Sequence, residues 1–98
     1  MECKALYINT IQIIIKAHKY SFGDTMLNDI RNNKAHLVVI SSDAGKSSLK
    51  KVIDKCNFYN VKYITLLDKA QMFELFKKEI SSFAVIDENL AKKLINNL

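Results

Sequence analysis

The stretch His36-Leu-Val-Val-Ile-Ser41 is an unbroken apolar run closed at both ends by polar residues. A strand with one wet face alternates apolar and polar residues. An unbroken run marks a strand covered on both faces, as in sheets sandwiched between helices. Two further runs of this type follow, Val61 to Leu67 and Ser82 to Ile86. The strands are predicted at Leu37–Ser41, Tyr63–Leu67 and Phe83–Ile86, each buried.

Working outward, helical spacing fills the gaps. Tyr7, Ile11, Ile14, Ile15 and His18 share one face, with Asn9, Gln12, Lys16 and Lys19 on the other. This predicts a helix that ends before Gly23. Met26, Leu27 and Ile30 mark a short second helix, with Asp24 or Thr25 as its N-cap and Asn32-Asn33-Lys34 as its close. Leu49, Val52, Ile53 and Cys56 mark a third, whose outer face carries Lys46, Lys50, Lys51 and Lys55. Met72, Phe73 and Phe76 place a fourth; Leu90, Ala91, Leu94, Ile95 and Leu98 place a fifth. Helices alternating with buried strands predict an α/β fold: a three-layer α/β/α sandwich with a mostly parallel central sheet and helices on both faces. Ligands of such sheets gather among the loops at one end. A small extra strand fits near Tyr20 or Phe22. The chain has no proline and only two glycines, Gly23 and Gly45, so no linker divides it, and residues 1–98 are expected to form a single domain.

Composition narrows the partners. At 49% hydrophobic the chain can bury a core, which excludes a disordered polar chain. Its net charge of +5 and pI of about 9.3 favour polyanions such as nucleic acid. The alternative is a solubilising Lys excess, since Arg31 is the only arginine. Cys3, at a start expected to fray, and Cys56, on an apolar helix face, are too far apart and too few for a disulfide framework or a zinc site. That usage fits a cytoplasmic protein. No segment is long and apolar enough to span a membrane, and the first residues lack the pattern of a signal peptide.

Catalytic patterns are weak. Gly45-Lys46-Ser47 follows a strand and opens a helix, but a phosphate-binding loop needs a second glycine five positions earlier, where Ile40 stands. It reads instead as a turn capped by Ser47 or Ser48. His18 and His36 stand alone, without metal-ligand spacing. Asp87 and Glu88 suit the N-terminus of the fifth helix. No catalytic residue, cofactor, metal or small-molecule substrate is expected.

The stretch Lys34-Ala-His-Leu-Val-Val-Ile-Ser-Ser-Asp-Ala44, followed by Lys50-Lys-Val-Ile-Asp-Lys-Cys-Asn-Phe-Tyr-Asn-Val61, resembles the kink-turn RNA-binding superfamily of ribosomal protein L-seven-Ae, especially its bacterial YlxQ-type members. Lys16-Ala-His-Lys19 is similar to that family's RAGK motif, with His18 at its glycine. Phe83-Ala-Val-Ile-Asp87 and Leu90-Ala-Lys92 resemble its closing motif. The resemblance implies the same sandwich and a non-catalytic protein that binds a sharply bent RNA, often in a ribonucleoprotein or on ribosomal RNA. It also implies contact through two loops, one leading into the second helix and one preceding the last strand. Here these are Ser21-Phe22-Gly23-Asp24-Thr25 and Glu79-Ile80-Ser81-Ser82. The first lacks the Asn-Glu pair usual in the family.

Physical chemistry suits that assignment. Gly23 lets a backbone come close to a base or phosphate. Asp24 can accept from a base edge, and the second helix offers free N–H groups to phosphate. Lys16, Lys19, Arg31 and Lys34 are expected to flank the start of that helix and neutralise phosphates. Ile80, Ser81 and Ser82 suit unstacked bases. The candidate RNA-binding residues are therefore Lys16, Lys19, Phe22, Gly23, Asp24, Thr25, Asn28, Arg31, Lys34, Ile80, Ser81 and Ser82. Each has a plainer alternative: a helix cap for Gly23, a solvated face for the lysines, core for Ile80. The rival function is a protein-interaction module on the same fold. A monomer is expected.

Overall fold

The computed structural model describes the backbone of residues 2–97 and the side chains of residues 7–97; the side chain of Cys3 and all of Leu98 lie outside the described residues. The elements run α1 (Glu2–Lys16), β1 (Tyr20–Ser21), α2 (Gly23–Arg31), β2 (Leu37–Ile40), α3 (Lys46–Tyr59), β3 (Tyr63–Thr65), α4 (Lys69–Phe76), β4 (Ser82–Val85) and α5 (Glu88–Asn96). The four strands form one sheet in the order β1-β4-β2-β3.

The apolar run that opened the reading now resolves into two faces. Leu37 and Val39 of β2 pack with Ile11 and Ile14 of α1, Met72 and Phe76 of α4, and Leu94 of α5. Val38 and Ile40 point the other way, onto Met26 and Ile30 of α2 and Val52 and Cys56 of α3. Alternate residues of a strand face opposite sides. A strand with a helix layer on each side therefore needs an apolar residue at every position, and all of β2 is buried. The three-layer sandwich expected from the sequence is the observed architecture.

Strand direction departs from expectation. The β2–β3 ladder is parallel, but β4 pairs antiparallel with both β1 and β2, so the sheet is mixed rather than mostly parallel. Ile40 pairs with both Thr65 and Ser82, which means the chain leaves β3 and enters β4 at the same end of the sheet. The intervening α4 makes a return instead of a crossover. β1, β2 and β3 do point the same way, and β4 is inserted against them. A second correction concerns β3. It is an edge strand, with Tyr63 and Ile64 half-buried and Thr65 exposed, not a strand covered on both sides. The extra strand near Tyr20 is β1.

Helix ends also differ from the reading. Asp87 caps α5 as expected, accepting a hydrogen bond from the Leu90 N–H at 2.9 Å. The cap residue of α2 is Phe22, not Asp24 or Thr25, and that of α3 is Gly45, not Ser47 or Ser48; neither has a side-chain cap. After α1 the chain turns through His18 at φ +57, and after α2 through Asn33 at φ +61. Both lie in the left-handed region that commonly ends helices and that favours glycine. Phe73, read as part of the apolar face of the fourth helix, is 50% exposed.

Candidate nucleic-acid interface

The carboxyl ends of β1, β2 and β3 and the start of β4 lie together at one end of the sheet. Four connections meet there. The turn Phe22–Gly23 joins β1 to α2. Residues 41–45 join β2 to α3, and their backbone is tied across: Ser41 N–H donates to the Ser81 carbonyl and Ser42 N–H to the Leu67 carbonyl, each at 2.8 Å. The Asp43 carboxylate accepts from Lys69 N–H at 2.9 Å, binding the same loop to the start of α4. The fourth connection, residues 77–81, leads into β4.

A cavity of about 310 Å³ opens among these loops, lined by Phe22, Gly23, Asp24, Met26, Leu27, Ser48, Lys51, Val52, Glu79, Ile80, Ser81 and Ser82. Its walls are the first turn of α2, one face of α3 and the 79–82 segment. The backbone at Gly23 has φ +64, and a Cβ there would meet nothing within 4 Å. The glycine is needed for its backbone angle, and the space before it is open to a ligand. Phe22 on the rim is held by aromatic neighbours reaching out of the core: it stacks on Tyr20, Tyr20 meets Phe76 edge-on, and Phe76 packs on Phe83. The Lys78 ammonium sits over the Phe22 ring, 5.1 Å from its centre.

The backbone supplies positive potential at this end. A helix leaves its first N–H groups without intrahelical partners, and the positive end of its dipole lies there. α2 and α3 both begin beside the cavity, and neither start carries a side-chain cap. The other described helix starts are closed: α4 by a reciprocal capping box between Asp68 and Gln71, α5 by Asp87. Two open helix starts and Lys51 offer donors to an anion, while Asp24 and Glu79 in the same lining oppose one. A triphosphate cradle does not form at Gly45-Lys46-Ser47, because the N–H groups of Ser41, Ser42 and Ala44 are already spent on carbonyls.

The twelve candidate residues divide. Phe22, Gly23, Asp24, Ile80, Ser81 and Ser82 line the one cavity. Thr25 and Asn28 are exposed along α2 beyond its lining. Lys16, Lys19, Arg31 and Lys34 do not flank the start of α2, which corrects the expectation. The Lys19 carbonyl accepts from Ile86 N–H beyond the far end of β4, and Arg31 ends α2, about 12 Å along the axis from Gly23. The reason is geometric: the chain crosses the length of the sheet between Lys19 and Gly23, and crosses back along α2. Ser48, Lys51, Lys78 and Glu79 were missed as site residues. For Ser48 and Lys51 the signal lay in the packing of α3 beside α2, which one chain's periodicity does not reveal; Lys78 and Glu79 stand in the connection that leads into β4.

Other chemistry is sparse. Burial pushes the Cys56 thiol up to about 11, so it offers no thiolate at neutral pH. Among the described residues, no group of three His, Cys, Asp or Glu is placed to hold a metal ion. No described helix is long and apolar enough to cross a membrane.

Fold and cavity together define a small α/β sandwich with a cavity at the carboxyl ends of its parallel strands. The chain belongs to the ribosomal protein L7Ae/L30e/S12e/Gadd45 family, whose pattern matches residues 6–95. It is 33% identical over 87 residues to the RNA-binding protein YlxQ of Enterococcus faecium, covering 88% of this chain and 84% of that one. It is 40% identical over 85 residues to the RNA-binding protein YlxQ of Bacillus subtilis (strain 168), covering 85% of each. Two solved structures share the fold. A protein of unknown function from Bacillus halodurans C superposes with a TM-score of 0.85 at 24% identity, over 93% of this chain and 94% of that one. The Giardia lamblia 15.5kD RNA binding protein superposes with a TM-score of 0.77 at 15% identity, over 99% of this chain and 85% of that one.

Proposed function

We propose that this protein binds structured RNA without catalysing a reaction, and that it recognises a kinked or bulged helix within a ribonucleoprotein, ribosomal RNA being the leading candidate. The observation that carries the reading is the convergence of two uncapped helix starts on one cavity walled by the Gly23 turn and the 79–82 segment. The relatives named as RNA-binding proteins, at 33% and 40% identity, support it. In this reading Asp24 accepts from a base edge, the free N–H groups and Lys51 take phosphate, and Ile80, Ser81 and Ser82 receive an unstacked base. The cellular setting is the cytoplasm, and the protein acts as a monomer.

A gel shift against a kink-turn RNA and a straight duplex, each over a salt series, tests this. The kinked RNA should bind more tightly, with affinity falling steeply as salt rises. Equal binding to both would remove the specificity, and no binding to either would remove RNA as the partner. The absence of an Asn-Glu pair in Ser21-Phe22-Gly23-Asp24-Thr25 favours the second reading, a protein-interaction module. That reading predicts no RNA shift at any salt.

A further inference from the structure

α3 carries a stripe that leaves the cavity and runs to the helix's far end. Ser48 and Lys51 line the cavity. Lys55 and Phe58 follow at helical spacing, so the four side chains lie along one side of the helix. Lys46 and Lys50 are exposed further round the helix, and Asp54, the single acid of this helix, stands beside the stripe at i+3 from Lys51 and i−4 from Phe58. Phe58 is 77% exposed, more than Ile13 or Phe73, the other large apolar residues in solvent among the described residues. Its ring is steadied by an edge-to-face contact with Tyr59, centroids 4.8 Å apart, and Tyr59 packs into the core beneath.

We propose that this stripe binds an unpaired RNA segment continuing from the folded element in the cavity. The inference rests on reading the cavity as an RNA site. Lysines interleaved with an exposed aromatic ring are what single strands need: ammonium groups for the backbone and a flat face for a base. The charges are arranged in that order. Lys51 and Lys55 occupy the earlier turns of the stripe, where phosphates would track. The last turn of α3 carries no basic residue to offset the negative end of its dipole, so it disfavours phosphate there. Phe58 in that turn presents a neutral base-stacking surface instead. From Lys51 to Phe58 the helix rises about 10 Å, so a few nucleotides suffice.

The sequence contains no tryptophan, so Phe58→Trp installs a sole indole reporter while keeping an aromatic face. The RNAs are a blunt kink-turn element and the same element with a short single-stranded extension at its 5′ or its 3′ end. One extended RNA should quench the indole emission, and the blunt RNA should not. Phe58→Ala should bind the blunt RNA like the parent protein and that extended RNA about tenfold more weakly than the parent does, in keeping with loss of one stacked base. Blunt RNA that binds while neither extension quenches would overturn this inference alone. No binding of blunt RNA would overturn the RNA reading of the cavity, and this inference with it. A dimer seen by sedimentation and dissolved by Phe58→Ala would assign the stripe to a second copy of the chain and overturn the RNA segment.

Discussion

The two ends of the sheet are made from the same strands and hold opposite electrostatic equipment. At the cavity end α2 and α3 begin with N–H groups uncapped by side chains, around Gly23 at φ +64. At the other end α1 and α2 terminate, their chains turning through His18 and Asn33, and α5 starts under its Asp87 cap. Lys16, Lys19, Arg31 and Lys34 all cluster toward this second end. Lys16 and Arg31 occupy the last turns of their helices, where a cation offsets the negative dipole end. Four exposed cations thus sit where helix ends partly cancel them. Where the backbone itself is positive, the cavity lining carries one cation, Lys51, with the carboxylates Asp24 and Glu79. On the proposed function, net charge points to the kind of partner, and the unspent backbone donors point to where it docks.

The contrast can be broken or sharpened by substitution, beginning with the largest effect. Gly23→Val forces a branched side chain into the left-handed region and should cost about 2 kcal/mol of stability, read by urea denaturation. It should also abolish RNA binding, because the open space before the glycine fills. Asp24→Ala should leave stability near that of the parent protein but remove a base-edge acceptor. The preference for kinked over straight RNA should shrink by about 1–3 kcal/mol in competition gel shifts. Lys51→Ala and Lys34→Ala compare the two ends directly. The first should lower the slope of log affinity against log salt by about one unit, and the second should leave it unchanged. Equal slopes would show that RNA wraps both ends.

Smaller effects belong away from the cavity. His18 holds a left-handed angle without being glycine, so His18→Gly should raise stability by about 0.5 kcal/mol, strain relief being partly offset by a freer unfolded chain, with binding unaltered. Cys56 should contribute nothing to pH dependence near neutrality. Burial raises its thiol from 9.0 to about 11 in the folded protein. Its stabilisation is therefore complete below about pH 9 and is lost as pH rises toward 11. Urea midpoints across that range should fall more steeply for the parent protein than for Cys56→Ala.

The layers were legible in the sequence because burial leaves a mark in composition. Leu37 to Ile40 had to be apolar at every position to serve two helix layers, and so the sandwich could be read from one run. Direction was not legible, since a strand buried on both faces has the same composition whichever way it points. The return of β4 depends on the β3–β4 connection starting and finishing at the same end of the sheet, a property of path rather than of residue type. The cavity was half legible. The Gly23 turn and the Ile80-Ser81-Ser82 segment could be nominated from resemblance, and the structure brings them together. Lys51 and Ser48 could not, because they enter the cavity only through the adjacency of α3 to α2. The misplaced lysines show the opposite error: Lys19 lies close to Gly23 in sequence but a strand's length away in space.

β4 is the last strand in the chain and an interior one in the sheet. Tyr20 waits for Val85, nearly the whole chain away, and β1 has no other partner. Pairings between such distant residues slow folding, because loop-closure entropy is spent before contacts form. During synthesis the N-terminal part is available first, with β2 and β3 able to pair while the β2 edge stays bare. The insertion of β4 covers that edge, recruits β1 and brings Ser81 and Ser82 to the far wall of the cavity in one event. A chain stopped short of Ser82 has neither a finished sheet nor the complete cavity, so any binding there waits for the last strand.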